Sequence, residues 1–170
     1  MPSDQDLLHA LLDSWDRNNI ILTNLLRALP DGGLEARAAE GSPSVAELFT
    51  HIHYVRLVFV LEDAPDSPEK CRKTSGPLRV IVIGEMLVDS AKAVRDAVQD
   101  RVKTGRQMHV HYDHPILFLQ HMVWHEGYHH GQIKLALKAA GIPISDEHAG
   151  PLTWDVWMRK SNKGKRHDHA

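Results

Sequence analysis

The chain has 170 residues, enough for one domain with its own hydrophobic core and too few for two of ordinary size. Apolar residues make up 42% and charged residues 25%, a globular balance that excludes a disordered or fibrous chain. Lys plus Arg number 20 against 22 Asp plus Glu, and the net charge of −2 supplies no broad basic surface for a nucleic-acid backbone or an anionic membrane. Cys71 alone cannot close an internal disulfide. The acidic opening Met1-Pro2-Ser3-Asp4-Gln5-Asp6 lacks the basic-then-apolar order of a signal peptide, so a cytoplasmic protein is expected. No apolar run approaches the roughly 20 residues of a membrane helix. The departure from average composition is histidine, with 13 residues.

In chain order, apolar residues from Leu7 to Leu29 recur at three-and-four spacing and predict a first helix, stopped by Pro30-Asp31-Gly32-Gly33. Residues 34–41 read as loop. Ser44-Val45-Ala46-Glu47 fits a capping box, so a second helix opens there, with Leu48, Ile52, Val55 and Phe59 on its apolar face, and closes before Glu62-Asp63-Ala64-Pro65. Residues 62–77 hold three prolines, a glycine and many charges and predict a long surface connection. Residues 78–88 are rich in β-branched side chains, but the pattern continues through Ala91, Val94, Ala97, Val98 and Val102 at helical spacing, which predicts one long third helix. A fourth opens near Asp113-His114-Pro115, with Pro in the first turn, and closes at Ala140-Gly141. Four long amphipathic segments without a convincing strand predict an all-α bundle forming a single domain over 1–158. Trp154 and Trp157 are expected to pack back on it, and 159–170 to form a basic, solvated tail.

The chemistry concentrates in the fourth helix. His125 and His129, four apart, project from one side and can share a cation. Their neighbours Leu117, Trp124, Ile133 and Ala136 suggest that the imidazoles face the bundle interior, where coordination would satisfy ring nitrogens that burial otherwise leaves costly. A third ligand should come from helix two, which carries His51 and His53. His51 lies on the Leu48 and Val55 stripe, whereas His53 is rotated about 200 degrees from it. His51 is therefore the choice, against the alternative of a core histidine bonded to a carbonyl, Tyr54 or Tyr128. His121 lies about 6 Å from His125 along the helix axis and, with Tyr128, is expected to line the pocket. His130, rotated about 100 degrees from His129, falls outside the set. His9, His109, His111, His114, His148, His167 and His169 are expected at the surface.

Residues 125–129 also spell His-Glu-x-x-His, in which Glu126 would be the general base of a zincin peptidase. The metzincin continuation fails, because Gln132 stands where a glycine is required, and no sheet is present to hold an extended peptide.

Two longer segments carry a further pattern: Leu48-Phe49-Thr50-His51-Ile52, and His121-Met122-Val123-Trp124-His125-Glu126-Gly127-Tyr128-His129-His130-Gly131-Gln132. In that order, the two resemble the DinB/YfiT-like family of metal-binding four-helix bundles over most of residues 5–142. The resemblance implies an up-down-down-up bundle with a long crossover between helices two and three, metal ligands His51, His125 and His129, and a homodimer. It also implies an activity among metal-dependent hydrolases and thiol-dependent transferases. His130 departs from the pattern, since an Arg usually precedes Gly-Gln, which puts any anion-orienting role of that Arg in doubt.

Three neutral imidazoles with no carboxylate or thiolate leave a divalent ion its full charge and an open position. Zinc and nickel both suit imidazole. Hydrolysis and thiol transfer on a small molecule are then both available, with any thiol supplied from outside the chain. The alternative is a non-catalytic metal-binding or stress-related module with saturated coordination.

Overall fold

The computed structural model describes residues 4–67 and 78–158. Among them the chain forms α1 (Asp4–Arg27), α2 (Val45–Asp63), α3 (Val80–Thr104), α4 (Pro115–Ala139) and the short α5 (Asp146–Leu152) and α6 (Trp154–Met158). Helices are the regular structure of the described residues; one isolated antiparallel bridge joins Arg37 to Ser44. Cys71, His167, His169 and the tail from 159 lie outside the described residues, as does most of the 62–77 connection. No described helix is long and apolar enough to cross a membrane.

Local chemistry sets the helix ends. At α2 the Ser44 hydroxyl accepts from Glu47 N while the Glu47 carboxylate accepts from Ser44 N, so two otherwise orphaned amides are satisfied. At α4, Pro115 occupies the first turn and the N-cap is His114, whose Nδ1 accepts from Ile116 N. α3 ends at Gly105, whose φ of 67° is the left-handed conformation favoured at a helix C-terminus. The β-branched run 80–83 is helical although Val80 and Ile81 are exposed: Ile83 opens a buried stripe that continues through Leu87, Ala91 and Val94 to Val98.

Cross-helix contacts give the directions. Trp15 Nε1 donates to Ala91 O and Arg95 donates to Leu12 O, whereas Leu26, later in α1, meets Gly84, earlier in α3. α1 and α3 are therefore antiparallel. His53 contacts Met86, Arg56 contacts Leu87 and Ser90, and Arg101 pairs with Asp66 just beyond α2, so α2 and α3 run parallel. α4 runs against α2, since His51 faces His129 while Phe59 faces His121.

The core has two apolar layers. Leu22, Leu26, Phe49, Ile52, Ile83, Leu87, Ile133 and Leu137 fill one. Leu12, Trp15, Val60, Val94, Val98, Phe118, Leu119 and Met122 fill the other. Between them in sequence on their helices lie the buried Asn18, Arg56, Ser90 and Glu126, a polar belt. Arg56 donates from Nε to Glu126 Oε1 at 2.6 Å and from Nη2 to Oε2 at 2.8 Å, and its Nη1 reaches Asn19 Oδ1, Leu87 O and Ser90 Oγ. Asn18 donates to Glu126 Oε2, and the guanidinium lies 4.8 Å from the Trp15 ring centre. Every buried charge here has partners, the condition under which such groups persist in a core.

Trp154 and Trp157 do not bury their rings, being 62% and 42% exposed. What ties the C-terminal segment to the body is its backbone: Arg17 donates to Val156 O and Trp157 O, and Asn24 to Leu152 O.

Candidate metal centre

His51, His125 and His129 converge where the first half of α2 meets the middle of α4. One nitrogen from each lies within 4.8 Å of the other two. Ring centres are 4.4 Å apart for His125 and His129, 4.8 Å for His51 and His129, and 5.4 Å for His51 and His125. No other group of three or more His, Cys, Asp or Glu among the described residues meets that condition.

The surroundings differ from the expected interior. His129 is buried, His125 half-buried and His51 exposed; His51 and His129 line the wall of a cleft, with His125 beside them. Leu117 and Trp124, expected to flank the rings inside the bundle, are 54% and 68% exposed. The two histidines of α2 exchange roles in burial. His53 is buried against α3 with Nδ1 2.7 Å from Met86 O, while His51 stands at the surface beside α4. The cause is that α2 packs on α3 along one flank and α4 along another, so burial does not follow a single stripe.

His129 is oriented by its own helix. Its Nδ1 donates to Gln132 Oε1 at 2.7 Å, and Gln132 in turn donates to the Tyr128 hydroxyl. That bond fixes the tautomer and leaves the Nε2 lone pair free to ligate. Nε2 of His129 and Nε2 of His125 face each other at 3.0 Å, where they can share a proton or a cation. Burial first, then the neighbouring His129, His51, His121 and Arg56, lowers the His125 pKa to about 4, and burial likewise lowers that of His129. Both rings are thus neutral near neutral pH, the state in which imidazole binds a metal.

His121 is half-buried outside the trio, with its ring centre 6.3 Å from that of His125 and Nδ1 2.7 Å from the Tyr112 hydroxyl. Burial, assisted by the charge of Asp63, pushes the Tyr112 hydroxyl up to about 12. Tyr128 is exposed at the cleft rim. His130 lies apart from the three rings, with burial lowering its pKa. His9, His109, His111, His114 and His148 are exposed as expected, His111 bonding through Nδ1 to the buried Asp63.

Glu126 does not face the cleft. Its side chain is 1% exposed, turned into the bundle and held by Arg56 and Asn18. Burial pushes its carboxyl up while Arg56 and Asn18 oppose the shift, and the two-pronged contact is that of an ion pair. The general-base role in a zincin is therefore overturned. In the middle of a helix, Glu126 sits about 100 degrees from His125, and only one of the two can face His51 and His129.

The cleft has a volume of about 630 Å³ and is lined by Arg37, Gly41, Ser42 and Pro43 of the α1–α2 loop, by Glu47, Leu48 and His51 of α2, and by Tyr128, His129 and Gln132 of α4. Its polar donors, carboxylate and imidazoles suit a small polar molecule beside a cation. Sequence reasoning gave no site role to Gln132 or Arg37. Gln132 was legible in principle, three residues beyond His129 on the same face. Arg37, in an irregular loop, carries no periodic signal.

Fold and site together define a helical bundle with a candidate three-histidine metal centre at an open edge. The model of the DinB family matches residues 1–146, and the chain belongs to that family. No curated protein and no solved structure matches it.

Proposed function

We propose that His51, His125 and His129 hold one divalent ion, zinc or nickel, and that the protein is a metal-dependent enzyme acting on a small molecule. The observation that carries this reading is the convergence of three imidazole nitrogens within 4.8 Å, two of their rings lining a cleft, with no carboxylate or thiolate in the set. A donor set of this kind leaves the ion positively charged and able to bind a further oxygen or sulfur ligand, so that it supplies Lewis acidity and stabilises hydroxide or thiolate at neutral pH. The chain's own residues do the positioning. Gln132 holds the His129 ring, burial keeps His125 and His129 unprotonated, and the α1–α2 loop with Tyr128 walls the space beside the rings. Hydrolysis of an electrophilic small molecule and transfer of a group to an exogenous thiol both fit this arrangement.

The test is elemental analysis of untagged protein beside the variant His125→Ala/His129→Ala. About one metal ion per chain is expected in the first and none in the second, and equal content in both overturns the reading. Screening electrophilic substrates with and without a low-molecular-weight thiol then separates transferase from hydrolase; turnover by neither, with metal bound, would leave a non-catalytic metal-binding module.

A further inference from the structure

The loop between α1 and α2 places an arginine, its side chain 45% exposed, at the same cleft. Its backbone is pinned to the start of α2: Val45 N donates to Ala36 O, Ala46 N donates to Leu34 O, and Arg37 bridges Ser44. Gly41, at a φ of 78°, takes the left-handed turn within this loop. The Arg37 guanidinium is held through a single nitrogen, Nη1, which donates to Ser42 O and pairs with Glu47 Oε2. No group among the described residues accepts from its Nε or Nη2. Glu47 is already engaged: its carboxylate accepts from Ser44 N, and its pKa is lowered chiefly by the Ser44 bonds. One turn along α2 from Glu47 stands His51, and Arg37, Glu47, His51 and His129 all line the one cleft.

We infer that Arg37 is a specificity-determining residue which binds a carboxylate of the substrate or thiol cofactor while another group of that molecule meets the metal. The inference rests on the metal reading above. Anchoring one nitrogen reduces the rotamer freedom a long side chain would otherwise lose on binding, and the remaining planar edge offers the paired N–H donors that match a carboxylate.

The test uses the full chain loaded with Co(II), whose visible spectrum reports a sulfur ligand, under anaerobic conditions. It is titrated with 3-mercaptopropionate and with the uncharged 3-mercaptopropan-1-ol. The wild type is expected to bind the carboxylate thiol about tenfold or more tightly than the neutral one, the scale of a hydrogen bond to a charged group. Arg37→Gln is expected to lose that preference while its Co(II) affinity and its affinity for the neutral thiol stay unchanged, and Arg37→Lys to recover part of it. Equal affinity of the wild type for the two thiols, or a preference that survives in Arg37→Gln, overturns the inference and leaves the metal reading standing. Loss of Co(II) binding in Arg37→Gln makes the residue structural and also overturns it. Failure of the wild type to bind Co(II) removes both readings together.

Discussion

Replacing Glu126 by Gln tests whether this residue belongs to the core or to the chemistry. The carboxylate is fully buried, accepts two bonds from Arg56 and one from Asn18, and lies in a polar belt between two apolar layers. Glu126→Gln keeps the shape but leaves the Arg56 charge without its counter-ion, and breaking a buried pair this way costs about 3–5 kcal/mol. Total stabilities of domains run about 5–15 kcal/mol, so the loss is readily seen by urea denaturation at 25 °C. Arg56→Met should cost a similar amount at pH 8 and less at pH 5. Without Arg56, the Glu126 carboxyl sits further above its unfolded value, the folded state holds a proton that the unfolded state has released, and stability falls as pH rises above about 4.5. The double variant Arg56→Met/Glu126→Gln should be less destabilised than the sum of the singles by about 1–3 kcal/mol. Glu126→Gln should keep its full metal content. Near-zero cost in both singles, or additivity in the double variant, would refute the account of the belt. A Glu126→Gln protein of unchanged stability that had lost a hydrolytic activity would restore the residue to the chemistry.

Further outcomes follow from the site and its supports. Zinc or nickel at 100 times its Kd should stabilise the wild type by about 2.7 kcal/mol, raising Tm by about 5–11 °C in a calorimetric scan, with no rise in His125→Ala/His129→Ala. Gln132→Leu removes the acceptor that orients His129 and should weaken metal binding about 10–100-fold in a chelator competition while leaving the fold intact. Burial lowers the pKa of His53 despite the pull of Met86 O, so its contribution to stability is complete above the unfolded value of about 6.5 and declines as pH falls below it. A His53→Phe variant should show a shallower loss of stability between pH 6.5 and 5 than the wild type in parallel urea titrations. Ser44→Ala breaks the capping box and should cost about 0.5–2 kcal/mol.

Much of the fold was legible because helix ends are written in local chemistry. Ser44 with Glu47, Pro115 after His114, and the Pro30 and Gly141 stops need no knowledge of tertiary structure. Facing was less legible. The interior belongs to pairs of helices, and α2 and α4 are each packed along more than one flank, so a search for one apolar stripe put His51 inward and His53 outward when the reverse holds. The three rings nevertheless come together, because His51 and His125 stand just off the buried stripes of α2 and α4 while His129 lies on that of α4, at the edge of the cleft. The polar belt was missed, although Arg56 stands in the otherwise apolar run Val55 to Leu61 and Asn18 one turn from Ile21 and Leu22. A lone charge inside such a run signals a buried partner elsewhere in the chain. Here that partner is Glu126, a residue whose motif suggested a different role.

The Arg56 and Glu126 clasp governs more than stability. His125 and Glu126 are consecutive, one meeting His51 and His129 and the other turned to the heart of the bundle, so the azimuth of α4 about its axis sets both at once. On α2, Arg56 and His51 are linked in the same way, little more than a turn apart. Two helices that carry the imidazoles are thereby keyed to each other by a fork of hydrogen bonds beneath the opening, and any swivel that spread the rings would have to unlock it.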